Sequence, residues 1–265
     1  KLMPLAPGHT ACAGCGEMIA IRSAMGALGP NVIVANATGC SEVTTTQYPM
    51  SSWGVPWIHS LFENAAAVAS GIKAALDYKE KTSLNPPFKR GAGGFKRGVK
   101  VVAQGGDGAT FDIGLGLISG MWERGEDILY ICYDTEAYSN TGIQASGATP
   151  WAANTTTTPA GKCAKKENTA CELNIGLGSQ QRKKDMIAIA LAHNVNYVAQ
   201  TTAGFPDDIA AKIKKALSIK GPSYIQILSP CVPGWKINPA HAVKVGKLAA
   251  QTGLYPLLEY VNGQL

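Results

Sequence analysis

Four cysteines stand in glycine- or proline-marked settings: Cys12 and Cys15 in CAGCG, Cys40 in ATGC and Cys231 in SPCVPG. Two intervening residues let Cys12 and Cys15 reach one metal centre together, because the turn between them points both sulfurs inward. Gly14 and Gly16 permit the torsions of that turn and leave amides free to bond sulfide or thiolate. One C-x-x-C also fits zinc or a redox dithiol, but zinc ribbons usually carry a second such pair, which is absent here. The pattern favours an iron–sulfur cluster. A second chemistry lies at GGDGATFDIG around Asp107. Its glycines let a diphosphate approach the backbone, and the helix start that follows supplies N–H donors. Asp107 is then a hard ligand for Mg²⁺. G-D-G also occurs in ordinary turns; the polar run Asp134 to Gly142 one strand later, where a second ligand belongs, strengthens the reading. Both sites in one chain imply that electrons leave a cofactor and enter a cluster.

The elements that position these residues follow from hydrophobic pattern. Val32 to Val34, Val99 to Ala103, Ile128 to Tyr133, Asn196 to Ala199 and Tyr224 to Leu228 are mostly continuous apolar runs, as in strands buried on both faces. Helical patterns at Glu17 to Leu28, Phe62 to Lys79, Phe111 to Glu123, Lys184 to His193 and Asp207 to Ile219 alternate with them. The economical fold is α/β: a doubly wound, mostly parallel sheet with helices on both faces. Cys40 follows the first strand and Cys231 the last, which puts them at one end of the sheet, where such folds bind ligands. Cys132, inside a strand, reads as a small core residue. Lys81 to Gly98 reads as an excursion between elements. Residues 142–182 exceed an ordinary connection and read as a functional loop or an arm against another subunit. Within them Cys163 and Cys171 are loop thiols, a second metal site or a disulfide.

Of 265 residues, 46% are hydrophobic and only 16% charged, which favours one heavily buried domain over residues 1–265 with some surface covered by other subunits. The net charge is +6, and basic residues cluster at Phe88 to Arg97, Lys162 to Lys166 and Arg182 to Lys184. These are either solvated loops and helix starts or a docking surface for an acidic partner such as a small electron carrier. No aromatic residues interleave with them, which argues against nucleic acid. No run has the length of a membrane span, and Lys1 to Pro4 does not read as a signal peptide. A cytoplasmic protein with reduced thiols is the expectation.

On GHTACAGCG, NATGC, TTTQYP, PWIHSLFENAAAVASGI, GGDGATFDIG, DTEAYSNTG and SPC, the chain resembles the thiamine-diphosphate-binding β subunit of pyruvate:ferredoxin oxidoreductase and its 2-oxoacid relatives. The resemblance runs over nearly the whole chain and implies the thiamine-diphosphate-binding fold. It implies that Cys12, Cys15, Cys40 and Cys231 hold a [4Fe–4S] cluster, and that Asp107, Thr135 and the Ala137 carbonyl bind Mg²⁺. It also implies that Glu17, Cys40, Gly106, Asp107, Gly108, Ala109, Thr135, Glu136, Ala137, Tyr138, Ser139 and Asn140 line the cofactor, with Asn140 on the substrate side as the catalytic candidate. His59 is a weaker candidate that also reads as structural. The implied reaction decarboxylates a 2-oxoacid, pyruvate being favoured, passes two electrons singly through the cluster to ferredoxin, and gives the acyl group to coenzyme A. Relatives acting on 2-oxobutyrate, branched-chain 2-oxoacids, 2-oxoglutarate or oxalate are alternatives, and oxalate would need no coenzyme A. Glu17 and Glu42 lie on diphosphate-end segments, so the thiamine-activating glutamate, like further clusters, is expected from partner subunits. Lys162 to Arg182 departs from the family pattern. A non-catalytic metal-binding electron-transfer scaffold is the alternative of a different class; it would hold no thiamine diphosphate.

Overall fold

A computed structural model describes residues 3–82, 98–161 and 177–265. Its sheet has seven strands in the order β2-β1-β3-β4-β6-β5-β7. These are β1 (Val32–Asn36), β2 (Trp57–His59), β3 (Lys100–Gly105), β4 (Leu129–Asp134), β5 (Tyr197–Thr202), β6 (Ser223–Leu228) and β7 (Leu258–Val261). β1 to β6 run parallel and β7 closes the edge antiparallel to β5. The five expected strands are thus present, joined by two short edge strands that hydrophobic runs did not reveal. Cys231 follows β6, the last parallel strand, rather than the last strand of the chain.

Two packed layers cover the sheet. On one face α1 (Gly16–Leu28) and α6 (Pro206–Ser218) bury Ile21, Met25, Ile209 and Ile213 against Val34, Val102, Ile131 and Ile225. On the other, α3 (Ala65–Thr82), α4 (Leu115–Glu123) and α5 (Met186–Ala192) bury Ala69, Ile118, Trp122 and Ala190 against Val101, Ala103, Tyr130 and Tyr224. Alternate strand residues therefore serve opposite cores, which is why the runs read as continuously apolar. Three helices were not anticipated: α2 (Cys40–Val43), α7 (Val232–Trp235) and α8 (Ala242–Gln251). The expected helix from Phe111 is split. A π-helical turn covers Gly108–Asp112, and α4 begins only after Gly114, whose missing side chain leaves room for the Ala109 carbonyl 1.9 Å from where a Cβ would sit. Among the described residues no helix is long and apolar enough to cross a membrane.

Most of the Lys81 to Gly98 excursion lies outside the described residues, as do Cys163 and Cys171 and two of the three basic clusters. The third, Arg182 to Lys184, is not simply a docking surface. The Lys183 side chain turns inward to Asp134 at 2.6 Å and Glu136 at 3.0 Å.

The chain leaves β1 for the edge strand β2 and returns to β3 on the other side of β1, so its course reverses there. That reversal opens a crevice at the carboxyl ends of β1, β3 and β4. Trp122 anchors the α4 side of this frame, edge-on to Tyr224 and His193 with ring centroids 5.4 Å away, and its buried Nε1 has no hydrogen-bond partner among the described residues. Trp122→Ala should therefore lose about 3–5 kcal/mol, while Trp122→Phe, which keeps one ring of the packing and forfeits no hydrogen bond, should lose clearly less. Denaturant midpoints of the two variants in the assembled protein check this; equal losses would contradict it.

Candidate functional site

The crevice is a cavity of about 270 Å³ walled by the segments that leave β1, β3 and β4. Glu17, Cys40, Gly106, Asp107, Gly108, Ala109, Thr135, Ala137, Tyr138, Ser139 and Asn140 all line it. Glu136 does not. It takes a left-handed backbone conformation with φ 64°, and its carboxylate turns to Lys183 and a neighbouring cavity beside Trp235. Thr38, Gly39, Phe62, Ile113, Tyr133 and Thr141 line the cavity without having been singled out as binding residues. Thr38 and Gly39 were legible as strand-end residues before Cys40; Phe62 and Ile113 carry no polar signal.

At its floor, Asp107 is 3% exposed. Its Oδ1 accepts the Thr135 N–H at 2.9 Å and its Oδ2 the Ser146 hydroxyl at 3.2 Å. Burial and the charge of Asp134 push its pKa well above the ordinary carboxylate range. The Thr135 hydroxyl lies 3.0 Å from the Ala137 carbonyl, to which it donates, and the Ser139 hydroxyl donates to Thr135 Oγ1 at 2.9 Å. One buried carboxylate, a hydroxyl and a carbonyl are thus gathered as oxygen donors. That set fits a hard divalent cation, whose charge would stabilise ionised Asp107.

Tyr138 closes one wall by donating to Asp112 Oδ2 at 2.6 Å, and its ring packs closely on Gly108, where a Cβ would lie 3.1 Å away. Two residues of the long segment after Gly142 reach this wall. Ser146 reaches Asp107, and Thr149 donates to the Glu136 carbonyl at 2.7 Å. His59 faces Thr38, with its Nε2 2.7 Å from the hydroxyl, and stacks on Trp57.

The four cysteines come from three loops meeting on the α1 side of the cavity. Cys15 N–H donates to the Cys12 carbonyl at 3.1 Å, which closes the C-x-x-C turn. Gly16 N–H donates to Pro230 O at 3.2 Å, and a Cβ on Gly16 would stand 2.5 Å from Pro230 N. Gly14, with φ 69°, presses as closely on the Pro239 carbonyl. Only glycine lets the 12–16 loop lie against the loop of Cys231. The Cys40 loop is tied in by Glu17 Oε1, which accepts the Ser41 N–H at 3.1 Å.

Burial and Glu17 push the Cys15 thiol up to about 12, with a further contribution from Cys12. Burial also raises Cys40, helped by Glu17 and by Cys15 and Cys231. Cys231 is raised by burial, Glu17 and Cys12. Glu17 itself is pushed up to about 7 by burial. Three part-buried thiols held above their ordinary range lose their protons readily beside metal cations, and with the exposed Cys12 the donor set fits a cluster. Among the described residues no three His, Cys, Asp or Glu side chains gather closely enough to hold a single ion. A cuboidal cluster asks less, since each thiolate binds a different iron. Ser139 stands beside the Cys231 thiol and Asn140 beside the Cys40 thiol, each favouring the thiolate, so the loop after β4 neighbours both candidate centres. Cys132 is fully buried in the sheet, the core residue its sequence implied.

Compared with known proteins, residues 37–227 match the family model of the C-terminal TPP-binding domain of thiamine pyrophosphate enzymes. Over 259 residues the chain is 49% identical to the pyruvate synthase subunit PorB of Methanocaldococcus jannaschii, covering 98% of this chain and 80% of that one. It is 40% identical over 260 residues to the ketoisovalerate oxidoreductase subunit VorB of Pyrococcus abyssi, covering 97% of this chain and 76% of that one. Among solved structures, a 2-oxoglutarate:ferredoxin oxidoreductase from Magnetococcus marinus shares the fold at a TM-score of 0.64 and 23% identity, covering 94% of this chain and 80% of that one. The cavity between β1, β3 and β4 thus lies within a recognised thiamine-diphosphate-binding domain, and the chain belongs to the β-subunit family of the 2-oxoacid oxidoreductases that contains PorB.

Proposed function

We propose that this chain is the thiamine diphosphate-, Mg²⁺- and [4Fe–4S]-bearing β subunit of a cytoplasmic pyruvate:ferredoxin oxidoreductase. The observation that carries the reading is one cavity floored by buried Asp107 and flanked, across the loop of Ser139 and Asn140, by four thiols. Pyruvate is favoured over branched-chain 2-oxoacids because the PorB relative is the more similar, at 49% against 40% identity for VorB.

When bound, thiamine diphosphate supplies the electron sink that lets a 2-oxoacid lose CO₂. Asp107, the Thr135 hydroxyl and the Ala137 carbonyl would hold Mg²⁺ against its diphosphate, and the Gly106 to Ala109 backbone would approach the same group. Cys12, Cys15, Cys40 and Cys231 would hold the cluster that receives the electrons. Cys40 lines the cavity, and its thiol stands beside Asn140, so the two centres would be separated by little more than one loop. Asn140 would orient the 2-oxoacid. The Phe62 and Ile113 side chains at the rim are 48% and 61% exposed and offer a partner subunit a surface to cover the cavity. That partner would bring the thiamine-activating glutamate, ferredoxin would take the electrons and coenzyme A the acyl group.

Assay of the intact complex against a panel of 2-oxoacids with a viologen dye tests the reading. Pyruvate should support the highest kcat/KM with coenzyme A present; a preference for a branched-chain 2-oxoacid would replace pyruvate in the assignment. The two centres should also separate by mutation. Cys231→Ser should lose iron and the broad visible absorbance, since a hard hydroxyl replaces a soft thiolate. Asp107→Ala should keep its iron but bind thiamine diphosphate at least about tenfold more weakly. Cys132→Ala should keep both, losing only packing, about 1 kcal/mol or somewhat more. Iron and thiamine analysis of the three proteins reads this directly, and full iron in the Cys231 variant would remove that residue from the cluster.

A further inference from the structure

Behind the metal-binding oxygens lies a buried ion cluster. Asp134, the last residue of β4 and the neighbour of Thr135, is fully buried. Its Oδ2 accepts from Lys183 Nζ at 2.6 Å, Gln226 Nε2 at 2.9 Å and the Tyr255 hydroxyl at 2.9 Å. Its Oδ1 accepts the Glu136 N–H at 3.1 Å. Lys183 also donates to Glu136 Oε1 at 3.0 Å and lies over the Tyr255 ring, 5.2 Å from its centroid. The ammonium therefore grips the residues on both sides of Thr135. It holds Glu136 in its left-handed conformation, which carries Ala137 round toward Thr135 Oγ1. The next residue points the other way. Lys184 Nζ donates to Asp112 Oδ1 at 2.7 Å and to the Phe111 carbonyl, at the end of the π-helical turn that follows Asp107. Asp112 in turn accepts from Tyr138 and from Gly147 N–H at 2.9 Å.

We propose that Lys183 and Lys184 are positioning residues for the cofactor: adjacent in sequence, they fix the two walls of the metal–diphosphate pocket, Lys183 the loop of Thr135 and Ala137, Lys184 the turn after Asp107. This rests on the function proposed above. Lys183 has an electrostatic part as well. With a cation present and Asp107 ionised beside it, Asp107, Asp134 and Glu136 set three negative charges against the one ammonium of Lys183, a net two minus that one divalent cation cancels. Without Lys183 the pocket is more negative. That favours a bare cation but repels the diphosphate, and it frees the loop that must present two of the oxygens.

The test uses the intact complex, stripped of thiamine diphosphate and titrated with it at saturating Mg²⁺ by calorimetry. Lys183→Met should weaken binding about 10- to 100-fold, the loss usual for a group that orients metal ligands. Iron content should stay at the wild-type level, and the thiamine diphosphate concentration for half-maximal activity should rise while kcat at saturation stays within a few-fold. Lys183→Arg, which keeps charge and donors, should recover most of the affinity, a rescue that loss of packing alone would not show. Wild-type affinity in Lys183→Met, or equal losses in Met and Arg, would overturn the proposal. If Lys183→Met does not assemble, Lys184→Met decides: weakened binding supports the clasp and unchanged binding overturns it. A wild-type complex that binds no thiamine diphosphate would refute the proposed function instead, so the two failures are distinct.

Discussion

Burying carboxylates at the carboxyl edge of a parallel sheet is the constraint around which this molecule is built. Asp134 ends β4 and Asp107 stands two residues past the end of the adjacent β3, and both are almost wholly withdrawn from water. An isolated buried carboxylate is strongly unfavourable and takes up a proton unless donors and cations surround it. The two are served differently. Asp134 has a lysine, an amide, a phenol and a backbone N–H. Asp107 has one backbone N–H and one serine hydroxyl, and no cation in direct contact among the described residues. The first is a completed structural charge and the second an unfinished one. That difference is what supports Asp107 as the proposed ligand of a cation.

The same edge carries the four thiols proposed for the cluster, and the two proposed sites share parts. Glu17 lines the cavity, yet it ties the Cys40 loop to α1 and raises the pKa of three of the cysteines. The loop from Thr135 to Asn140 gathers the oxygens proposed for the metal at its start and stands beside two thiols at its end. Trp235, four residues after Cys231, donates its Nε1–H to the Thr135 carbonyl at 3.0 Å. Displacing either centre would therefore disturb the frame of the other. A fold that only needed to bind both would not require these shared bonds; one that passes electrons between them benefits from a fixed, short separation.

Much of this was legible in the sequence, for physical reasons. The five central strands read as apolar runs because both faces are buried, and the site motifs read because glycine, cysteine and aspartate at strand ends have few structural uses. The missing pieces lacked such signals. β2 is three residues long, and β7 is half-exposed at an antiparallel edge, so neither makes a buried run. The π-helical turn after Asp107 looked like the first turn of one long helix, since only the close approach of Gly114 to the Ala109 carbonyl divides them. Lys183 was hidden in a basic triplet whose local reading is a solvated helix start. Its burial depends on Asp134 and Glu136, 49 and 47 residues away. Pairings that distant leave no local pattern.

The central claim is that one chain joins decarboxylation to electron transfer through the cluster beside the cavity. Freeze-quench paramagnetic resonance on the intact complex, mixed with pyruvate in the absence of coenzyme A and ferredoxin, tests it most directly. The account predicts a reduced-cluster signal that grows in as CO₂ is released and disappears when ferredoxin is added. Release of CO₂ with every cluster still oxidised would contradict it.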